Sequence, residues 1–258
     1  MGILNITPDS FSDGGKYNQL DRAVQRAIKM VEEGADIIDI GGESTRPGAN
    51  KVSEEEEINR VVPIIQAVSN VVGVPISIDT YKSEVAKQAI EAGASIINDI
   101  WGTKAEPKIA EVAASNRVPI IITHNRHKSA YQDLVPDVLA DLKESIMTCE
   151  EAGVEREKII LDPGIGFGKT YEENIEIMKN LDRIVELGFP VVLGASRKSM
   201  IGTALTLPPE ERLEGTQATV CYGMIKGCHI MRVHDVLQIS RAMQMMDILT
   251  GKKGDTHG

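Results

Sequence analysis

In this chain of 258 residues, the side chains able to do chemistry are the polar ones that end short apolar runs. Asn5, Asp39, Asp79, Asn98 with Asp99, His124 with Asn125, Asp162, the run Ser196-Arg197-Lys198, and Arg232 with His234 all stand at such ends. Asp79, Asn98, Asp162 and Lys198 together offer several acceptors and one cation. That set suits a flat heterocycle bearing several N–H donors, because a carboxylate grips a guanidine-like N–C–NH2 edge through two charge-assisted hydrogen bonds. Asp39 and Asp99 serve equally well as caps of turns and helix starts. A second group is cationic: Arg46, then Arg232 and His234, which alternate along an extended segment and so point to one side. In a chain of net charge −10 these three mark a local site for phosphate or pyrophosphate. Asn5 is placed to share a divalent cation with it, since Mg²⁺ takes oxygen ligands and keeps several waters.

Other signals are bounded by what they lack. The run Gly164-Ile165-Gly166-Phe167-Gly168-Lys169 is G-x-G-x-G rather than the dinucleotide fingerprint, so neither NAD nor ATP is expected. His124 and His127 have no third metal ligand at suitable spacing. Lys198 remains open to a Schiff-base role of the aldolase kind, with Arg197 beside it to depress its pKa. Cys149, Cys221 and Cys228 are odd in number and match no C-x-x-C spacing, which points to a reducing cytoplasm. Acidic residues outnumber basic ones 38 to 28, the wrong balance for gripping nucleic acid. Apolar stretches stop well short of about 18 residues and no leader pattern opens the chain, so neither membrane spanning nor secretion is expected. Met243, Met245 and Met246 read as core or oligomer packing.

The elements that must position these residues repeat one unit, a short β-branched run followed by a helical stretch. Strands are predicted at Ile3–Asn5, Ile37–Ile40, Pro75–Asp79, Ile96–Asn98, Pro119–Thr123, Ile159–Asp162, Pro190–Gly194 and Ile230–Val233. Helices are predicted at Asp21–Glu33, Glu54–Asn70, Ser83–Ala92, Pro107–Ser115, Pro136–Ala152, Glu172–Leu187, Glu214–Lys226 and Val236–Leu249. Ser53 and Glu56 have capping-box spacing. Gly34, Gly73, Gly93, Gly153, Gly188 and Gly227 stand where helices stop. Eight strictly alternating β-α repeats predict an α/β fold, a single (β/α)8 TIM barrel over residues 1–251, with an open doubly wound sheet as the rival. Residues 206–211 read as a plain loop, and residues 252–258 as a disordered tail.

Three stretches closely resemble the dihydropteroate synthase family: GILNITPDSFSDGG at 2–15, DIGGESTRPG at 39–48 and LDPGIGFGK at 161–169. Ser196-Arg197-Lys198 and Arg232-Val233-His234-Asp235 follow in the right order, so the resemblance covers essentially the whole chain. It implies condensation of 6-hydroxymethyl-7,8-dihydropterin pyrophosphate with p-aminobenzoate, giving 7,8-dihydropteroate and pyrophosphate with Mg²⁺ as cofactor. By that pattern Asp79, Asn98, Asp162 and Lys198 hold the pterin. Asn5, Arg46, Arg232 and His234 handle the pyrophosphate, Asn5 through the metal. Thr45, Pro47, Phe167, Ser196, Lys198 and Ser199 line the aminobenzoate site, where sulfonamides compete. Phe11, Ser12 and Asp13 fall in the family's mobile first loop, and Phe11 and Asp13 join Asp79, Asp162 and Lys198 as the residues expected to act in catalysis. A cytoplasmic homodimer is implied. The chain departs from the pattern in placing Thr123, where methionine is common, before His124, and in starting almost on strand one without the family's short lead. Alternatives are a pterin-binding methyltransferase of the same barrel family and a pterin-binding protein without catalysis.

Overall fold

Parallel strands alternate with helices from Gly2 to Leu249 in the computed structural model, which describes residues 1–6, 16–43 and 52–251. β1 (Gly2–Asn5), β2 (Ile38–Gly41), β3 (Ile76–Asp79), β4 (Ile96–Asp99), β5 (Ile120–Thr123) and β6 (Ile159–Asp162) are hydrogen-bonded in chain order. β7 (Val192–Leu193) pairs with β8 (Ile230–Met231). Bridges from Leu161 to Val191 and from Gly2 to Val233 join the two sheets at both edges and close the ring. The N–H of Leu161 donates to the Pro190 carbonyl at 2.9 Å and that of Ile3 to Val233 at 3.0 Å. The molecule is the expected (β/α)8 barrel.

Closure explains why the strands are apolar without alternation, since both faces of each are buried. Ile38, Ile40, Ile78, Ile97, Ile120, Ile122 and Leu161 face outward into one continuous core beneath the helices. Met1, Ile96, Ile121, Ile160 and Val192 face inward and make a separate apolar floor. Burying each aliphatic side chain stabilises the fold by about 1.5–3 kcal/mol. One layer above that floor the inward positions turn polar, with Asp39, Ser77, Asp79, Asn98 and Asp162 all buried. The strand ends thereby become the base of a site.

α1 (Lys16–Glu32), α2 (Glu54–Ser69), α3 (Ser83–Glu91), α4 (Lys108–Asn116), α5 (Leu134–Glu151), α9 (Leu213–Ile225) and α10 (Val236–Leu249) follow the sequence pattern within a few residues. Two differences stand out. The predicted helix Glu172–Leu187 is divided into α6 (Tyr171–Lys179) and α7 (Leu181–Val185), because Asn180 Nδ2 donates back to the Glu176 carbonyl at 2.9 Å and competes with the helical ladder. The predicted plain loop at 206–211 contains a 3₁₀ turn at Pro209–Glu211, and ahead of it stands a helix that the pattern did not give, α8 (Ser199–Leu205). Ser53 Oγ accepts the Glu56 N–H, but the Glu56 carboxylate turns to Arg60, so that capping box is half made. The complete one is Thr170 with Glu173 at the start of α6. Gly73 does not take the left-handed turn that the other five predicted helix-stopping glycines adopt. Among the described residues no helix is long and apolar enough to cross a membrane. The tail at 252–258 lies outside the described residues.

Candidate active site

The inward carboxylates of β2 and β3 meet the guanidinium that follows β8. Arg232 donates from Nε to Asp39 Oδ2 at 2.6 Å and from Nη2 to Asp79 Oδ2 at 2.5 Å. Asn98 Nδ2 lies 3.3 Å from Asp39 Oδ2, so Asp39 ties three strands together at the base of the cup. The register puts Asp39 opposite Ser77 and Gly41 opposite Asp79, one layer higher. Asp39 is therefore a structural carboxylate of the site rather than a turn cap, and the sequence left it undecided. Asp99 is the turn cap: it accepts the Trp101 and Thr103 N–H groups at 2.8 and 2.6 Å.

Across the cup, Asp162 Oδ1 accepts the Gly164 N–H at 2.7 Å. Gly194 leaves open the space on which the remaining groups converge. A Cβ there would lie 3.5 Å from Asp162 Oδ2, 3.9 Å from Arg232 Cδ and 4.0 Å from Lys198 Nζ. Lys198 donates to the Ile165 carbonyl and stands 4.4 Å from the centre of the Phe167 ring. The four residues expected to bind one heterocycle are thus brought together. Arg232, expected among the pyrophosphate ligands, is held between Asp39 and Asp79.

Burial sets the electrostatics. It pushes the Asp79 carboxyl up to about 7 against the pull of Arg232, and raises Asp162 against the pull of Lys198. It lowers Lys198 to about 8, with Asp162 opposing. Arg232 stays firmly charged, because Asp39 and Asp79 outweigh its burial. Asp79 Oδ1 is buried with no hydrogen-bond partner, an acceptor aimed at something the protein does not supply. Arg197 does not depress the neighbouring lysine as expected. It turns away onto Asp235 through Nε at 2.8 Å and Nη2 at 2.5 Å. Its backbone is left-handed, with φ 56°, and is held by Thr216 Oγ1 on its N–H and by Arg212 on its carbonyl.

The glycine run after β6 has a physical reason unrelated to dinucleotides. Gly164 and Gly168 have φ of 69° and 56°, and a Cβ on either would fall 1.8 Å from the His124 carbonyl or 2.3 Å from that of Arg126. The loop thus lies against the backbone that follows β5. Thr170 follows Lys169, as in a phosphate-binding loop, but its hydroxyl is used as the N-cap of α6. His124 Nε2 meets Asp141 at 2.9 Å and Nδ1 meets Lys169 at 2.8 Å, so no metal role is left for that ring.

Ser196 Oγ lies 3.0 Å from His234 Nδ1, Ser199 is exposed at the start of α8, and Phe167 is half-buried against Lys198. Asn5 is exposed at the end of β1. Among the described residues no group of three or more His, Cys, Asp or Glu forms a metal nest. A single exposed amide oxygen fits an ion that keeps its waters and shares phosphate oxygens, as Mg²⁺ does, and does not fit a closed cage. Phe11, Asp13, Thr45, Arg46 and Pro47 lie outside the described residues.

The family model for pterin binding enzymes matches residues 1–234. The chain is 60% identical over 258 residues to the dihydropteroate synthase of Bacillus subtilis, covering 100% of this chain and 90% of that one. It is 62% identical over 250 residues to that of Clostridium beijerinckii, covering 96% and 93%. It superposes with a TM-score of 0.95 and 47% identity on the Clostridium difficile dihydropteroate synthase crystallised with pteroic acid, over 96% of this chain and 95% of that one. A Xanthomonas albilineans dihydropteroate synthase with 4-aminobenzoic acid matches with a TM-score of 0.93 and 40% identity, over 97% and 92%.

Proposed function

The chain belongs to the family of pterin-binding enzymes, and from that premise we propose how its residues carry out the dihydropteroate synthase reaction. The observation that carries the reading is the buried, unpartnered Asp79 Oδ1 in one cup with Asn98, Asp162 and Lys198. The pterin ring places its N–H donors on Asp79 and Asp162 and takes a hydrogen bond from Lys198. As the bond from the methylene carbon to the pyrophosphate oxygen breaks, its electron pair leaves on pyrophosphate and positive charge spreads from the methylene into the ring. Asp79 and Asp162, desolvated and incompletely neutralised, lie where that charge develops and stabilise it. The aminobenzoate nitrogen then gives its lone pair to the methylene carbon, forming the new C–N bond, and releases one proton to the departing pyrophosphate or to water. Its ring is received by Phe167, Ser196, Lys198 and Ser199, together with Thr45 and Pro47. Lys198 acts as a fixed cation and donor, which its hydrogen bond to the Ile165 carbonyl and its cation–π contact with the Phe167 ring support, and forms no imine.

Asn5 would hold Mg²⁺, which would supply positive charge to the leaving pyrophosphate. Arg46 and His234 bind the same group from the protein, with Arg232 facing it from below. Phe11 and Asp13 would complete the catalytic set. We place the enzyme in the cytoplasm, where Cys149, Cys221 and Cys228 stay free thiols. We also propose a homodimer through the outer face of α9 and α10, where Tyr222, Ile225, Met245, Ile248 and Leu249 are exposed. The deciding assay supplies the pterin pyrophosphate, aminobenzoate and Mg²⁺ and measures dihydropteroate and pyrophosphate. Equal amounts of both products, lost on chelating the metal, are expected. Pterin binding without pyrophosphate release would leave a binding protein instead.

A further inference from the structure

The run of glycines after β6 ends in a lysine that the reaction does not use. Lys169 is half-buried, and its ammonium meets three acceptors: His124 Nδ1 at 2.8 Å, the Gly164 carbonyl at 3.0 Å and the Phe167 carbonyl at 3.1 Å. An ammonium has three N–H donors, so all are spent. Because Nδ1 accepts, the His124 ring carries its proton on Nε2 and donates it to Asp141 Oδ2 at 2.9 Å. Asp141 is anchored in turn by Arg126 Nε at 2.6 Å and Lys104 Nζ at 2.8 Å. The chain of bonds runs from α5 through the end of β5 into the loop after β6.

The two carbonyls taken by Lys169 flank the segment that touches Lys198. Ile165 offers its carbonyl to Lys198 Nζ, Phe167 offers its ring, and a Cβ on Gly166 would come within 3.0 Å of Lys198 Cδ. We propose that Lys169 is a positioning residue for the aminobenzoate end of the site: by tying His124 to the carbonyls of Gly164 and Phe167 it fixes where Phe167 and the Ile165 carbonyl meet Lys198. The inference rests on the function proposed above. Burial holds His124 neutral, lowering its ring to about 3, with Lys169 adding to the effect. Burial also lowers Lys169, to about 7, although Asp162 and Glu173 favour its charge. Such an ammonium is stable in place only while its acceptors are aligned.

The test is Lys169→Met, which keeps the stem and removes the donors. Amide exchange across residues 165–168 should quicken about tenfold. The KM for aminobenzoate at saturating pterin pyrophosphate should rise about tenfold with kcat changed less than about threefold, and affinity for a pterin analogue should stay within about twofold. Unchanged exchange, an unchanged KM, or pterin affinity falling in step with the KM would each overturn the proposal. Should Lys169→Met fail to fold, His124→Phe leaves Lys169 its two carbonyls and should raise the same KM about threefold. No change there overturns it equally. A parent protein that makes no dihydropteroate sinks the proposed function alone, because the exchange experiment does not depend on turnover.

Discussion

Asp79 answers to two opposed demands, one from the fold and one from the pterin proposed to bind it. Burial pushes its carboxyl up to about 7, while Arg232, its nearest countercharge, works to keep it ionised. In the unfolded chain such a group titrates near about 3.9, so the folded protein holds the proton more tightly. Its contribution therefore favours folding below about pH 4 and is lost as pH rises to about 7. The ligand reverses the preference, since a pterin N–H needs an ionised acceptor. Pterin affinity, followed by calorimetry, should fall towards tenfold per pH unit below about pH 7 and level off above it until about pH 8, where Lys198 begins to lose its charge. Asp79→Asn should bind weakly and flatten that profile, whereas Asp162→Asn should bind weakly and keep the slope. A slope that survives in Asp79→Asn would assign the titration to another group facing the cup. Asp39 illustrates the limit of residue types: it ends an apolar run as Asp79 does, and only the strand register shows that it sits one layer lower, under Arg232.

At the scale of single elements, the loop after β6 shows backbone geometry choosing the residues. Gly164 combines a left-handed φ of 69° with a backbone oxygen 1.8 Å from where a Cβ would stand, so Gly164→Ala requires the main chain itself to move. Gly188 has a similar φ of 80° with nothing within 4 Å of that position. Urea unfolding should therefore separate them: Gly188→Ala costs about 1–2 kcal/mol from conformation alone, and Gly164→Ala costs more than that. Equal costs would mean that the close approach to His124 relaxes freely. The same logic explains why α8 escaped the sequence pattern. Gly202 lowers helix propensity by about 1 kcal/mol, which argues for a loop. In the fold, a Cβ at Gly202 would meet Arg212 Nη2 at 2.1 Å, and Arg212 needs that space to reach the Arg197 and Leu207 carbonyls. The glycine leaves room for the arginine that holds the carbonyl next to Lys198 in sequence.

For the whole molecule, the helices that close the barrel carry most of the exposed large apolar side chains among the described residues. Ile225 on α9 and Met245, Ile248 and Leu249 on α10 are at least half exposed, while Met243 and Met246 of the same helix pack inward. Large aliphatic side chains exposed together on neighbouring helices mark an interaction surface, which supports the homodimer proposed above. Sedimentation of the parent should give twice the mass of the chain, and Ile225→Asp with Ile248→Asp should give a folded monomer. A monomeric parent at micromolar concentration would remove the proposed dimer.

What the sequence determined by itself was the repeat and the polar residues that end its apolar runs. Both faces of every strand are buried in a closed barrel, so the unbroken β-branched runs announced a parallel sheet, and the polar residue ending each run fell at one rim. That logic reached Asp79, Asn98, Asp162 and Lys198 from residue type and position, and the resemblance added their roles. Tertiary structure decided everything that depends on which side chain faces which. It placed Arg232 between Asp39 and Asp79, turned Arg197 away to Asp235, broke the long helix at Asn180 and gave Lys169 its three acceptors. Each of these rests on partners far away in the chain, as with Arg232 and Asp39, 193 residues apart. Periodicity along a sequence reports which face is buried; it carries no record of what stands opposite.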